Sequence, residues 1–69
     1  METVTLDIQG MSCDHCVRAV RGALEGVDGA RVESVEIGRA TVRYDAARTS
    51  PEALANAVSD EGYEATRAG

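Results

Sequence analysis

The chain of 69 residues contains no phenylalanine, tryptophan or lysine, and only one proline and one histidine. Without Phe and Trp, a core must be built from Val, Leu, Ile and Ala, and the aromatic platforms on which nucleic-acid bases usually stack are missing. Twelve acidic residues outnumber seven arginines, which gives a net charge of −5. Such a surface repels phosphate backbones and anionic lipids, so nucleic acid and membranes are not expected as partners.

Long apolar runs are also absent. No stretch approaches the ~18 apolar residues of a membrane-spanning helix, so we expect no membrane insertion. The N-terminal segment Met1-Glu2-Thr3-Val4-Thr5 has no basic region followed by apolar residues, so we predict no secretory signal and expect a cytoplasmic location. A chain of this length buries only about 60% of its unfolded surface. Residues 1–69 are therefore predicted to form one small domain.

The first third of the chain predicts a strand followed by a helix. Residues 3–8 alternate between apolar and polar side chains, which is the period of a half-buried strand. Gly10 interrupts this pattern, and from Cys16 onward the apolar residues recur with helical spacing. We expect Gly26 or Gly29 to end this helix.

Two runs rich in β-branched residues, 31–37 and 40–44, predict a hairpin. We expect Gly38-Arg39 to connect them as a type II′ turn. The apolar positions of the first run change phase, which predicts either a bulge or the start of the strand near Glu33-Ser34. This arrangement would place on one buried face the side chains of Val35, Ile37, Ala40, Val42 and Tyr44.

The last third predicts a second helix and a short final strand. Ser50 is a typical N-cap, Pro51 suits the first helical position, and Gly62 is the expected C-cap. The buried stripe of this helix is predicted to contain Leu54, Ala57 and Val58. Residues 63–67 complete the order β-α-β-β-α-β. This order predicts an α+β, ferredoxin-like fold, in which two helices cover one face of a four-stranded antiparallel sheet.

The residues that carry chemistry are concentrated between positions 11 and 16, which hold both cysteines, the histidine and one methionine. Two cysteines separated by two residues can form a disulfide, bind a soft metal ion or exchange disulfides. Zinc and iron–sulfur sites usually take four ligands, so Cu(I) or Hg(II), which accept two sulfurs, suits Cys13 and Cys16 better. Cys16 is expected in the first helical turn, where the helix dipole favours a thiolate.

The segment Gly10-Met11-Ser12-Cys13-Asp14-His15-Cys16 resembles the G-M-[TS]-C-x-x-C signature of heavy-metal-associated domains. The closest resemblance is to bacterial cytosolic copper chaperones of the CopZ type. It covers nearly the whole chain and extends to Glu61-Gly62-Tyr63. The chain departs from the family pattern in a shorter hairpin turn and at Glu33, where an apolar residue is usual.

The resemblance implies roles for several residues in and near this segment. Cys13 and Cys16 would bind the metal, Met11 would pack beneath the loop rather than act as a ligand, and Tyr63 would lie beside the site. His15 is expected to point toward solvent and to modulate the site. There it could bind further Cu(I) and bridge two molecules into a metal-linked homodimer.

The leading functional hypothesis from the resemblance is a non-enzymatic Cu(I) chaperone that delivers copper by ligand exchange to a copper-transporting P-type ATPase. Basic residues at Arg18 and Arg21 would then dock against an acidic partner surface, although arginines there most often belong simply to the solvated face of a helix. Three alternatives stay open. They are a metal-binding domain from the N-terminus of such an ATPase, a mercury-binding carrier, and a thiol–disulfide redox protein.

Overall fold

The computed structural model describes residues 1–68, with six elements in the predicted order. They are β1 (Glu2–Gln9), α1 (Asp14–Glu25), β2 (Ala30–Glu36), β3 (Arg39–Tyr44), α2 (Pro51–Ser59) and β4 (Glu64–Arg67). The strands form one antiparallel sheet in the order β2-β3-β1-β4. The predicted ferredoxin-like arrangement is therefore confirmed.

The alternation along β1 explains why both helices cover the same face of the sheet. Val4, Leu6 and Ile8 are buried, because every second side chain of a strand points to the same side. These three residues form a single apolar cluster with the buried residues of both helices and of β3, namely Val20, Leu24, Ala40, Val42, Tyr44, Leu54 and Val58. Neither helix in the described part of the chain is long and apolar enough to cross a membrane.

The β2–β3 hairpin differs from the prediction at its turn. Glu36 pairs with Arg39, so the connecting residues are Ile37 and Gly38 rather than Gly38 and Arg39. Gly38, the second of the two, has a φ of +89°, whereas Ile37 has a negative φ. A positive φ at the second position is typical of type II turns and not of type II′. Because β2 ends at Glu36, Ile37 does not reach the buried face and is 54% exposed.

The other predictions for the hairpin hold, because the register differs from the expected one by two residues. Val35 lies opposite Ala40, where the predicted turn required Val42. A shift of two positions leaves each side chain on its original face, whereas a shift of one would reverse it. Of the two alternatives for the change of phase, the bulge is the one present, between Val32 and Ser34, since β2 already begins at Ala30.

The two helices begin and end close to the predicted positions. Helix α1 starts at Asp14, two residues before Cys16, because polar residues at its N-terminus add nothing to the apolar spacing. The Ser50 side chain caps α2 by accepting a hydrogen bond from the Ala53 backbone at 3.2 Å, as expected. The C-cap of α2 is Asp60 and not Gly62, which lies in the following turn with a φ of +94°.

Candidate metal centre

Cys13 and Cys16 lie where the loop after β1 enters α1. Cys13 is the N-cap of the helix, and its carbonyl accepts backbone hydrogen bonds from Cys16 at 3.0 Å and from Val17 at 3.3 Å. Its side chain makes no capping hydrogen bond, unlike the Ser, Thr, Asp or Asn residues preferred at N-caps. The thiol therefore stays free, and the first backbone N–H groups of α1 favour negative charge beside it.

The two sulfur atoms lie close together without forming a disulfide. The Sγ atoms of Cys13 and Cys16 are 3.8 Å apart, and both thiols are free. Cys13 is exposed, and Cys16 is partly buried. Among residues 1–68, no three or more His, Cys, Asp or Glu side chains are grouped so that they could hold a metal ion. The donor set at this loop is consequently a pair of sulfurs.

The surroundings of Cys16 favour its thiolate. The Tyr63 hydroxyl and then the Ser12 backbone, by hydrogen bonding to the sulfur, lower the pKa of Cys16 from 9.0 to about 6. Desolvation acts in the opposite direction, and the Cys13 thiol adds a smaller lowering. The contact with Cys16 also raises the pKa of Tyr63, because its proton is held beside a negative sulfur. At pH 7 Cys16 is therefore mostly a thiolate, which is the form that binds soft metals.

Tyr63 reaches the cysteine loop from the turn between α2 and β4. A Cβ atom added to Gly10 would lie 3.5 Å from ring atom Cδ1 of Tyr63, so the ring packs over this glycine. Gly10 has a φ of +96°, a conformation that glycine adopts without steric cost. The turn after α2 is thus brought against the loop after β1, and the Tyr63 hydroxyl comes near enough to Cys16 to lower the pKa of its thiol.

Met11 supports the loop from below. It packs against the core, and its Sδ atom accepts a hydrogen bond from the Gly38 backbone N–H at 3.4 Å. The Gly38 carbonyl in turn accepts a hydrogen bond from the Ile8 backbone at 2.9 Å. These two bonds attach the β2–β3 turn to the cysteine loop, through Met11, and to β1, through Ile8. In this structure Met11 is therefore a packing residue whose sulfur is already engaged.

The charged residues predicted on α1 stay at the surface. His15 and Arg18 are exposed, and Arg18 has no carboxylate within ion-pair distance among residues 1–68. Arg21 lies 3.7 Å from Glu25 in an exposed pair. Exposed pairs of this kind contribute well below about 1 kcal/mol. Only Arg18 of the two predicted docking arginines is therefore unpaired.

Sequence reasoning missed two contributors to the site. The Ser12 backbone helps to lower the pKa of Cys16, and its place directly before the Cys-x-x-Cys segment was the available signal. Gly38 contacts Met11 across 27 residues of sequence, and no local pattern predicts a contact of that range. Both contributions come from the backbone, so neither depends on a recognisable functional side chain.

A ferredoxin-like sheet with a Cys-x-x-Cys loop before its first helix defines the class of heavy-metal-associated domains. Residues 5–64 match the model of this family, the heavy-metal-associated domain, and the chain belongs to it. The resemblance noted in the sequence is confirmed.

Particular relatives include a copper chaperone of the same size. The chain is 41% identical over 70 residues to copper chaperone CopZ of Bacillus subtilis (strain 168), covering 97% of this chain and 100% of the relative. Its fold matches a copper binding domain from HMA7, a P-type ATPase, with a TM-score of 0.95 and 29% identity, covering 100% and 96% of the two chains. It also matches oxidized MerP from Ralstonia metallidurans CH34, with a TM-score of 0.89 and 36% identity, covering 99% and 97%.

Proposed function

We propose that this chain is a copper chaperone, which holds one Cu(I) ion between Cys13 and Cys16 and passes it to a metal-binding domain of a copper-transporting P-type ATPase. It acts in the cytoplasm and catalyses no reaction. The observation that carries the proposal is the pair of free sulfurs 3.8 Å apart on a surface loop. The similarity to a chaperone and to an ATPase domain, both named for copper, supports the choice of cargo and partner.

The sulfur geometry suits an ion that must be released. With metal–sulfur bonds of about 2.3 Å, sulfurs 3.8 Å apart subtend roughly 110° at a shared ion, whereas a linear arrangement needs roughly 4.6 Å. A bent pair leaves the opposite side of the ion open to a third thiolate. A cysteine of the partner can therefore bind before Cys13 or Cys16 departs, and the ion is never free in solution.

The electrostatics of the site support the same sequence of events. Cys16 is mostly deprotonated at pH 7, so the ion displaces few protons there when it binds. Two thiolates and one Cu(I) leave a charge of about −1 on the loop, which the N–H groups at the start of α1 stabilise. Exposure of Cys13 gives the incoming thiolate access to the ion.

Competition with a chromogenic Cu(I) chelator under anaerobic conditions tests the two-sulfur site. The wild-type chain should withhold one equivalent of Cu(I) from the chelator. Cys13→Ser and Cys16→Ser should each abolish this tight binding and keep the circular dichroism spectrum of the metal-free fold. If either single variant retains wild-type affinity, the two-sulfur site is wrong.

A mercury-binding carrier is the second candidate, favoured by the 36% identity to MerP over nearly the whole chain. Affinity does not separate the two cargoes, because paired thiolates bind both soft ions. Regulation does separate them: transcription of the gene should rise on exposure of the source cells to copper salts. A response to mercury alone would favour the mercury carrier.

A further inference from the structure

The net charge of the molecule is concentrated at the end that carries the cysteines. This cysteine end is where β1, β2 and α2 finish and where β3, β4 and α1 begin. Six acidic residues and two arginines, Arg18 and Arg39, lie at this end, which gives it a net charge of −4. The rest of the molecule carries the other six acidic residues and five arginines, which give a net charge of −1. The six acidic residues of the cysteine end are Asp7, Asp14, Glu36, Asp60, Glu61 and Glu64.

Most of these carboxylates have no ion-pair partner in the described part of the chain, and several lie next to the cysteine loop. Of these six carboxylates, only Asp7 has an ion-pair partner among residues 1–68, which is Arg39 at 3.4 Å. Asp14 directly follows Cys13, and Glu64 pairs in the sheet with Gln9, which precedes Gly10 of the cysteine loop. Glu61 lies near enough to Tyr63 for its charge to raise the pKa of that hydroxyl.

An exposed apolar side chain lies among the acidic residues of the cysteine end. Ile37 and Met1 are the large hydrophobic residues left exposed in the described part of the chain, at 54% and 67%. Met1 is the chain end, whereas Ile37 lies in a turn fixed by the hydrogen bonds of Gly38 to Met11 and Ile8. Ile37 is therefore presented on a turn that is tied to the cysteine loop.

Transfer by ligand exchange requires the partner to touch this end of the molecule. The total surface is 4146 Å², so a standard interface of roughly 800 Å² per partner would cover about a fifth of it. A footprint of that size centred on Cys13 includes the neighbouring turns and their carboxylates. The partner must then offer compensating charge, because like charges brought together in an interface cost affinity and slow association.

We propose that the partner which accepts metal from this end surrounds its own thiols with basic side chains and contacts Ile37 through an apolar group. This inference rests on the proposed function and names the chemistry of the acceptor surface. Arg18 is the one arginine at the cysteine end without an ion-pair partner among residues 1–68, and a single carboxylate within that basic surface would complement it. Net attraction between the two surfaces speeds association at low ionic strength and is screened by salt.

Two synthetic acceptor peptides test the inference without knowledge of the natural partner. Both contain the same Met-x-Cys-x-x-Cys core with a leucine beside it, and they differ in flanks of four lysines or four glutamates. Cu(I) transfer from the loaded full-length chain is followed by quenching of a fluorophore on the peptide. We expect transfer to the lysine peptide to be about tenfold faster at low salt, and the difference to shrink at high salt.

Charge-reversal variants locate the effect on the molecule. Glu61→Lys with Glu64→Lys should remove most of the preference for the lysine peptide. Glu2→Lys with Glu52→Lys changes the net charge equally at exposed positions away from the cysteine end, and it should leave the preference intact. Ile37→Ser should slow transfer a few-fold at both salt concentrations, because screening does not weaken an apolar contact.

The outcomes separate this inference from the proposed function. The chelator competition measures Cu(I) affinity, which is the test of the proposed function, and it is repeated for each variant. If the loaded chain transfers copper equally fast to both peptides, or faster to the glutamate peptide, the basic acceptor surface is wrong and the chaperone function stands. Equal loss of preference in the two double variants would also overturn it, because the net charge and not the cysteine end would then govern transfer.

Discussion

At the scale of single residues, Cys13 occupies a position that stability alone would give to another amino acid. It is the N-cap of α1, with extended backbone angles and no capping side-chain bond. Ser, Thr, Asp and Asn at this position would satisfy an N–H group of the first turn, and such a cap stabilises a helix by about 1 kcal/mol. The free thiol therefore lowers the stability of α1.

We predict that Cys13→Ser raises the stability of the metal-free fold by about 0.5–1 kcal/mol, because the hydroxyl can accept a hydrogen bond from the first turn. Cys16→Ser, inside the helix, is the matched control and should give no such gain. Urea denaturation of the reduced proteins measures both values. A stability of Cys13→Ser at or below that of Cys16→Ser would contradict the capping argument.

Tyr63 is the residue on which the ionisation of Cys16 chiefly depends. The folded-state pKa of Cys16, about 6, lies below its ordinary 9.0, so the folded chain binds the Cys16 proton more weakly than the unfolded chain does. The resulting stabilisation is full above pH 9 and is lost as the pH falls through 6. Removal of the Tyr63 hydroxyl should raise the folded-state pKa of Cys16 and so narrow, at its lower end, the pH range between the folded-state and unfolded-state pKa values.

We predict that Tyr63→Phe raises the pKa of Cys16 and slows its alkylation by iodoacetamide at pH 7. The measurement is the alkylation rate against pH, with mass spectrometric sequencing to distinguish Cys16 from Cys13. Tyr44→Phe is the control, since Tyr44 is buried in the core on β3. Loss of its hydroxyl should leave the midpoint of the alkylation–pH curve of Cys16 unchanged. An unchanged midpoint in Tyr63→Phe would show that the Tyr63 hydroxyl does not set the pKa.

At the scale of elements, α1 contains a glycine that no packing contact requires. A Cβ added at Gly22 would meet nothing within 4 Å, and the position is exposed. Glycine inside a helix is less favourable than alanine by about 1 kcal/mol, because it has more conformational freedom to lose. Gly29, in the loop after the same helix, differs from Gly22 because its φ of +88° is one that residues with a side chain rarely adopt.

We predict that Gly22→Ala raises the free energy of unfolding by about 0.5–1 kcal/mol. Gly29→Ala should lower it, because its φ is positive and the added Cβ would lie 2.7 Å from Cβ of Arg48. Urea denaturation of both variants gives the comparison, and Cu(I) affinity should be unchanged in Gly22→Ala. A destabilised Gly22→Ala would mean that α1 needs flexibility at its centre.

At the scale of the whole molecule, the two arginines of α1 differ in what they offer a partner. Arg18 is unpaired within residues 1–68, whereas Arg21 already lies beside Glu25. Arg18 is also one turn closer to the cysteines along α1. Docking that uses α1 should therefore depend on Arg18 more than on Arg21.

We predict that Arg18→Gln slows Cu(I) transfer to the cognate ATPase domain a few-fold, while Arg21→Gln has little effect. Neither variant should alter Cu(I) affinity, since neither side chain contacts a sulfur. Stopped-flow transfer assays at two ionic strengths provide the measurement, and the effect of Arg18→Gln should diminish with salt. Unchanged rates for both variants would mean that docking uses another face.

Local patterns in the sequence were enough to predict the elements and to single out a candidate metal-binding segment. The alternation of Val4, Leu6 and Ile8, the Ser50-Pro51 helix start and the bulge between Val32 and Ser34 are all present in the structure. Each depends on side-chain spacing or backbone chemistry within a few residues. Cys13 and Cys16 could be proposed as ligands in the same way, because soft-metal chemistry is a property of the thiols themselves.

Contacts between distant segments were decided only by the tertiary structure. The register of the hairpin left Ile37 exposed, the sheet brought Gly38 to Met11, and the turn after α2 brought Tyr63 to Cys16. The concentration of negative charge at one end also appears only when the six elements are assembled. The physical reason is that spacing along the chain fixes which side of an element a residue faces, while packing of the whole fold fixes what that side meets.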